Sequence, residues 1–231
     1  MIGSGTAVAL LLGISLGFGS WSYMMPHQDP VGTLLLVNKQ YRAPTVPLAL
    51  TRPEVHPMNG DVAKNTYMRP EAAAALEEMF AAAAEEGINL YSVSGYRSYA
   101  TQKAIFSRKS RERGEKVANQ TSAKAGYSEH QTGLAMDFEG ESMLGQGLRK
   151  EIGESPEGIW VAEHCWEYGF ILRYARGMTK VTGYAYEPWH VRYVGKEASR
   201  RIHEMGDIPY ETYMQTLRGE RIEWMEAHGN E

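Results

Sequence analysis

Cysteine is nearly absent. Cys165 is the single one in 231 residues, so the chain has no internal disulfide and no thiolate zinc cluster. Set in an aromatic run that reads as helical, Cys165 is predicted to be a small buried hydrophobe rather than a nucleophile. Net positive charge is missing too. The formal charge is -4 and no basic stripe dominates, which argues against a nucleic-acid partner. Arg108, Lys109, Arg111 and Arg113 form a local basic run, but Glu112 and Glu115 interrupt it. It reads as a solvated helix face, with an anion site as the other reading. Residues 1–26 lack any charged side chain, and there is no internal repeat or low-complexity tract.

The length suits one domain with a substantial core. Hydrophobic residues make up 43% and charged residues 23%, an ordinary globular balance. The apolar run from Ile2 to Phe18 suits an uncleaved membrane anchor, with a cleaved signal segment second and a buried helix third. No Lys or Arg precedes the run, no good Ala-x-Ala site follows it, and no cysteine beside it offers a lipid anchor. Either leading reading places the remainder outside the cytoplasm. The expected organisation is a membrane anchor or signal over 1–25, a proline-rich extended arm over 26–60, a catalytic domain over 61–218 and a polar tail over 219–231.

Within the arm, residues 34–38 read as a short strand and 44–57 as an extended segment that wraps the domain. A helix opens at Pro70, a residue suited to the first helical position, and runs to Glu86 with Leu76, Met79, Phe80 and Ala83 as its buried stripe. Ile88 to Ser94 alternates as a half-buried strand, and a helix follows from Tyr99 to Arg113. Residues 114–125 read as loop. The glycines from Gly140 to Gly158 read as a flexible loop, and 157–168 as a helix with Ile159, Trp160, Ala162, Cys165 and Trp166 available for burial. A strand over 169–174, another carrying His190 through Val194, and helices over 196–205 and 210–217 complete the pattern. Strands and helices are mixed without regular alternation, so the fold class is α+β.

Two stretches carry chemistry. The segment Gly126-Tyr127-Ser128-Glu129-His130-Gln131-Thr132-Gly133-Leu134-Ala135-Met136-Asp137 sets a histidine and an aspartate seven positions apart. The segment Tyr186-Glu187-Pro188-Trp189-His190-Val191-Arg192-Tyr193 adds a histidine with a carboxylate three residues before it. His130, Asp137 and His190 can hold zinc and leave its fourth position for water, whose pKa then falls from about 15.7 to about 7. Glu187, not a ligand, is placed to take the water proton and pass it to a leaving amine. On a regular strand Glu187 and His190 would face opposite sides, so this arrangement requires a bend or bulge near Pro188. Trp189 and Tyr193 read as core or pocket wall. His27, His56, His164, His203 and His228 read as surface or satisfied core. By spacing alone the pattern is only moderately specific.

Together with Ser94-Gly95-Tyr96-Arg97-Ser98 and Gln102, these stretches resemble the zinc peptidase family of VanY-type D-alanyl-D-alanine carboxypeptidases and related L,D-carboxypeptidases. The resemblance spans roughly residues 33–215, with the motifs in order. It implies a small antiparallel sheet flanked by helices, shared with D-Ala-D-Ala dipeptidases and the hedgehog signalling domain. It implies zinc at His130, Asp137 and His190, Glu187 as catalytic base and acid, and Arg97 directed at the substrate to stabilise an oxyanion. Gln102, Ser128, Tyr96 and Trp189 are implied in substrate binding. The implied partner is a peptidoglycan stem peptide that loses its terminal D-alanine. L,D-carboxypeptidase action on tetrapeptide stems is the alternative, and a non-catalytic zinc-stabilised wall-binding module the third. The resemblance is loose over Gln40 to Pro44 and in the glycine-rich loop after Asp137.

Overall fold

The computed structural model describes residues 32–45, 48–57 and 66–228. The expected anchor over 1–25 lies outside them, as do residues 58–65, where arm was expected to give way to domain. Among the described residues no helix is long and apolar enough to cross a membrane.

Helix α1 spans Pro70–Glu85, with proline at its start and an alanine-rich sequence that favours helix. It buries Ala72, Leu76, Met79, Phe80 and Ala83. Strand β1 (Leu90–Ser94) follows, then α2 (Tyr99–Arg113), capped by the Ser98 side chain, which accepts from the Thr101 N–H. Strand β2 is Ala135–Gly140. Helix α4 (Pro156–His164) and a 3-10 turn (Cys165–Tyr168) lead into β3 (Phe170–Tyr174). A four-residue helix, α5 (Thr179–Thr182), precedes β4 (Glu187–Tyr193). Helices α6 (Lys196–Glu204) and α7 (Tyr210–His228) follow, α7 running on through 219–228 of the segment expected to form a polar tail.

The strands form one antiparallel sheet in the order β1-β2-β4-β3. Period-two alternation sorts its two faces. Met136, Phe138, Phe170 and Val191 join Leu76, Met79 and Trp160 in the main core under α1. On the other face Ile171 packs with residues of α6 and α7 and with Leu36, and Asp137, Arg173, His190 and Arg192 bring polar groups to the same side. That polar face holds the site.

Four expectations are corrected. Residues 34–38 form no strand. Leu35, Leu36 and Val37 are buried, but the Thr33 and Leu35 carbonyls accept from the Arg192 guanidinium at 3.0 and 2.7 Å, so a side chain takes the place of a ladder. The expected loop at 114–125 contains α3 (Glu115–Thr121), restarted after Gly114 (φ 82°) and packed through Ala118. The segment after Asp137, read as loop, is exposed over most of 141–150, with open space around Gly145 and Gly147, but is pinned by close packing at Gly140 and Gly158. Glu157 accepts from the Ser142 N–H at 2.8 Å and hydroxyl at 2.6 Å, and a Cβ on Gly158 would collide with the Ile152 carbonyl. Lastly, α4 buries Trp160 as expected but exposes Ile159 and Ala162, and Val161 takes the inward place beside Trp160.

Candidate metal centre and its cavity

Asp137 on β2 and His190 on β4 lie directly opposite one another in the sheet register, so the ladder itself brings an aspartate and a histidine 53 residues apart to one face. His130 comes from a 3-10 turn (Glu129–Thr132) just before β2. The three side chains are buried, and one ligand atom from each lies within 4.8 Å of the others. His190 Nδ1 stands 3.0 Å from Asp137 Oδ1 and His130 Nε2 stands 3.3 Å from Asp137 Oδ2.

The far nitrogens fix how the rings present themselves. His130 Nδ1 lies 2.8 Å from the Gly95 carbonyl. A carbonyl only accepts, so that nitrogen carries the proton and Nε2 offers its lone pair inward. His190 Nε2 lies 3.2 Å from Glu129 Oε2, so a cation would displace the proton on Nδ1 and leave the one held by Glu129. Two inward imidazole nitrogens and a carboxylate, buried and converging, are a donor set that zinc takes with one position left over.

The charges behave accordingly. Burial drives His130 down to about 4, helped by Arg97 and opposed by Asp137. Burial works against the charge of His190 as well, yet its bonds to Asp137 and Glu129 outweigh burial and lift it to about 9. Burial would raise Asp137 and Glu129, but Asp137 is held well below its usual range by the histidines and Arg97. Arg173 and Arg192 do the same for Glu129.

The bulge required near Pro188 is present. Leu172 pairs with Val191 and Tyr174 with Glu187, so residues 188–190 of β4 stand opposite Arg173 alone. The bulge turns Glu187 and His190 into the same cavity. Glu187 is buried, and burial raises it to about 7, with His190 pulling downward and Asp137 upward.

Arg97 leaves β1 and is tied down: its Nε donates to Ser94 Oγ at 2.9 Å and its NH2 to Asp137 Oδ2 at 2.7 Å. It lines the cavity while paired to a candidate ligand. The cavity, about 290 Å3, also takes in Gln102, Ser128 and Trp189. Gln102 donates through Nε2 to the Ala123 carbonyl at 2.7 Å, and its buried Oε1 has no partner. Tyr96 is not among the cavity-lining residues; its N–H donates to the Tyr67 carbonyl. A larger cavity of about 390 Å3 opens between residues 36–41 and α7. Its lining holds one carboxylate and no histidine, so the chemistry belongs to the smaller one.

Sequence reasoning gave no role to Glu129, Arg173 or Arg192. Glu129 Oε1 accepts from Arg173 Nε at 2.8 Å and Arg192 NH1 at 3.0 Å, and Arg173 also grips Glu211 on α7 at 2.6 and 3.0 Å. The available signal was clearest at Arg173, an arginine inside the otherwise apolar run Phe170–Tyr174, since a charge in such a place must be paired. Lys109 and Arg113 also reach the cavity, so the basic run is not wholly a solvated face.

A D-alanyl-D-alanine carboxypeptidase (VanY) family pattern matches residues 65–196. A solved LdcB LD-carboxypeptidase is 44% identical, with a TM-score of 0.75, the likeness covering 81% of this chain and 88% of that one. The vancomycin-resistance D,D-pentapeptidase VanY from a VanB-type cassette, solved as a mutant with Zn(II), is 30% identical with a TM-score of 0.66 and coverages of 79% and 98%. An Enterococcus faecium D-alanyl-D-alanine carboxypeptidase is 35% identical over 205 residues, 86% of this chain; the chain spans 62% of that relative's length. With the family pattern laid over the sheet, the bulge and the converging ligands, this chain belongs to the VanY D-alanyl-D-alanine carboxypeptidase family.

Proposed function

We propose that the chain is a zinc-dependent carboxypeptidase that removes the terminal D-alanine from peptidoglycan stem peptides. The observation that carries this reading is geometric: the bulge in β4 brings Glu187, a buried carboxylate whose pKa burial raises, into one cavity with His130, Asp137 and His190. A general base works best when its pKa lies near the operating pH. Zinc, held by those three residues, would supply Lewis acidity and a water acidified to about 7.

Glu187 then takes the proton of the attacking water and returns it to the departing amine. Arg97 offers N–H donors to the developing oxyanion, and Gln102 and Ser128 line the same cavity as polar partners for the peptide. Substrate arrives in a site already ordered by Ser94, Gly95 and Glu129, so little is rearranged at the moment of reaction. The same reading puts the enzyme outside the cytoplasm, tethered through residues 1–25, as their charge-free apolar run suggests.

L,D-carboxypeptidase action on tetrapeptide stems is the second reading, supported by the likeness to LdcB at 44% identity. Mass spectrometry after digestion of penta- and tetrapeptide stems separates the two. In Glu187→Gln, kcat is expected to fall about 10²–10⁴-fold with metal content unchanged. Full activity in that variant removes the mechanism, whereas peptide binding without release in the unaltered chain indicates a wall-binding module.

A further inference from the structure

Helix α2 carries Lys109 and Arg113 one turn apart, and both line the cavity that holds the candidate ligands. Every other cation on or behind that cavity is committed. Arg97 pairs with Asp137, Arg173 with Glu129 and Glu211, and Arg192 with Glu129. Among the described residues neither Lys109 nor Arg113 forms an ion pair. Lys109 Nζ is steadied only by the Thr121 carbonyl at 3.1 Å, which leaves two of its three donors unspent. Burial lowers its pKa, while Glu187 and Asp137 lie close enough to push it up again. Asp137 is taken up by its histidines and Arg97, and Glu129 by its arginines, while Glu187, the carboxylate that acts most strongly on Lys109, forms no ion pair with it. Among the described residues the cavity thus holds an ammonium that no carboxylate of the protein contacts directly.

Taking the carboxypeptidase reading as given, we infer that Lys109, backed by Arg113, seats a carboxylate of the bound peptide. Such a substrate has two sources of that group, its free C-terminus and an acidic residue upstream. A partly desolvated ammonium facing either is worth far more than one on the surface, because the cavity walls exclude screening water. Lys109 is thus a specificity residue: it selects peptides bearing the carboxylate and holds them in register, and it does not move protons in the reaction.

Binding and turnover test this separately. Peptides ending in D-Ala-D-Ala are made as the free acid, as the C-terminal amide, and with the upstream carboxylate amidated. Their dissociation constants are measured by calorimetry on the full-length zinc-loaded Glu187→Gln chain. One of the two amides is expected to bind about tenfold or more weakly than the acid, and which one identifies the source. Adding Lys109→Met should bring that ratio to within about twofold, Lys109→Arg should preserve most of it, and Arg113→Gln should lower it part-way. A ratio unchanged in Lys109→Met, or no discrimination at either carboxylate, overturns the inference. Release of terminal alanine by the chain with Glu187 intact is scored apart: its absence sinks the carboxypeptidase reading and leaves the binding ratios to decide Lys109.

Discussion

Glu129 is fully enclosed, and its charge survives because Arg173 and Arg192 both donate to it while its second oxygen meets His190. Replacing it with glutamine keeps the shape and removes the charge that two buried guanidinium groups answer. Breaking a buried pair on one side costs about 3–5 kcal/mol, and loss of the acceptor behind a ligating histidine weakens a metal about 10–100-fold. Both are expected in Glu129→Gln, read by denaturant unfolding and by competition for zinc with a chromophoric chelator; wild-type zinc affinity would show that Glu129 only braces the strands. The candidate ligands were legible in the sequence because histidine, aspartate and glutamate in short motifs announce chemistry. Glu129's partners were not, since they lie 44 and 63 residues away and no local pattern reports which charges meet. Glu187 yields a pH prediction. As a base it must be ionised, so kcat/KM should rise with pH through its pKa. Burial lifts that value to about 7 and a bound dication lowers it again, which places the acid limb between about 4.3 and about 7. A limb outside that window, or one unmoved when Glu187 becomes aspartate, would assign it to another group.

Among the elements, the bulge in β4 is the clearest case of structure demanded by chemistry before it is seen. Two residues three apart cannot share the face of a regular strand, and the register shift between Leu172 and Tyr174 supplies the correction. Helix α1 and strand β1 followed from periodicity, within a residue or two at their ends. The strand expected at 34–38 failed because an apolar run says only that side chains are buried; Arg192 takes the carbonyls that a neighbouring strand would have used. Helix α3 was missed because seven residues carry too little periodicity to register. Helix α2 presents Gln102, Lys109 and Arg113 to the cavity and starts at the Ser98 cap, next to Arg97. Ser98→Ala removes an acceptor for the Thr101 N–H, held at 3.1 Å, and is expected to cost about 0.5–2 kcal/mol. Because Ser94 and Asp137 hold Arg97 independently, kcat/KM should change less than tenfold, with melting followed by circular dichroism. A larger loss of activity at unchanged stability would mean that the cap sets the position of Arg97.

At the scale of the whole molecule, the candidate metal centre is where remote parts of the chain meet. Arg192 reaches the carbonyls of Thr33 and Leu35, Arg173 reaches Glu211 on α7, and Asn38 Nδ2 donates to that same Glu211 at 3.2 Å. Glu129 joins both arginines to His190. The arm, the sheet and the last helix are thereby fastened behind one ligand, and a cation seated there stabilises all three at once. Zinc that binds the folded chain alone adds about 4.1 kcal/mol when free metal stands at 1,000 times its dissociation constant. For a chain of this size each kcal/mol moves the melting temperature by roughly 2–4 °C, so chelation should lower it by roughly 8–16 °C. The same treatment of Glu129→Gln should give a smaller shift, because 10–100-fold weaker binding removes about 1.4–2.7 kcal/mol of the linkage. Calorimetric scans with and without chelator check both. Equal shifts in the two proteins would detach the metal from the network behind His190, and no shift in either would mean that the described fold closes without it.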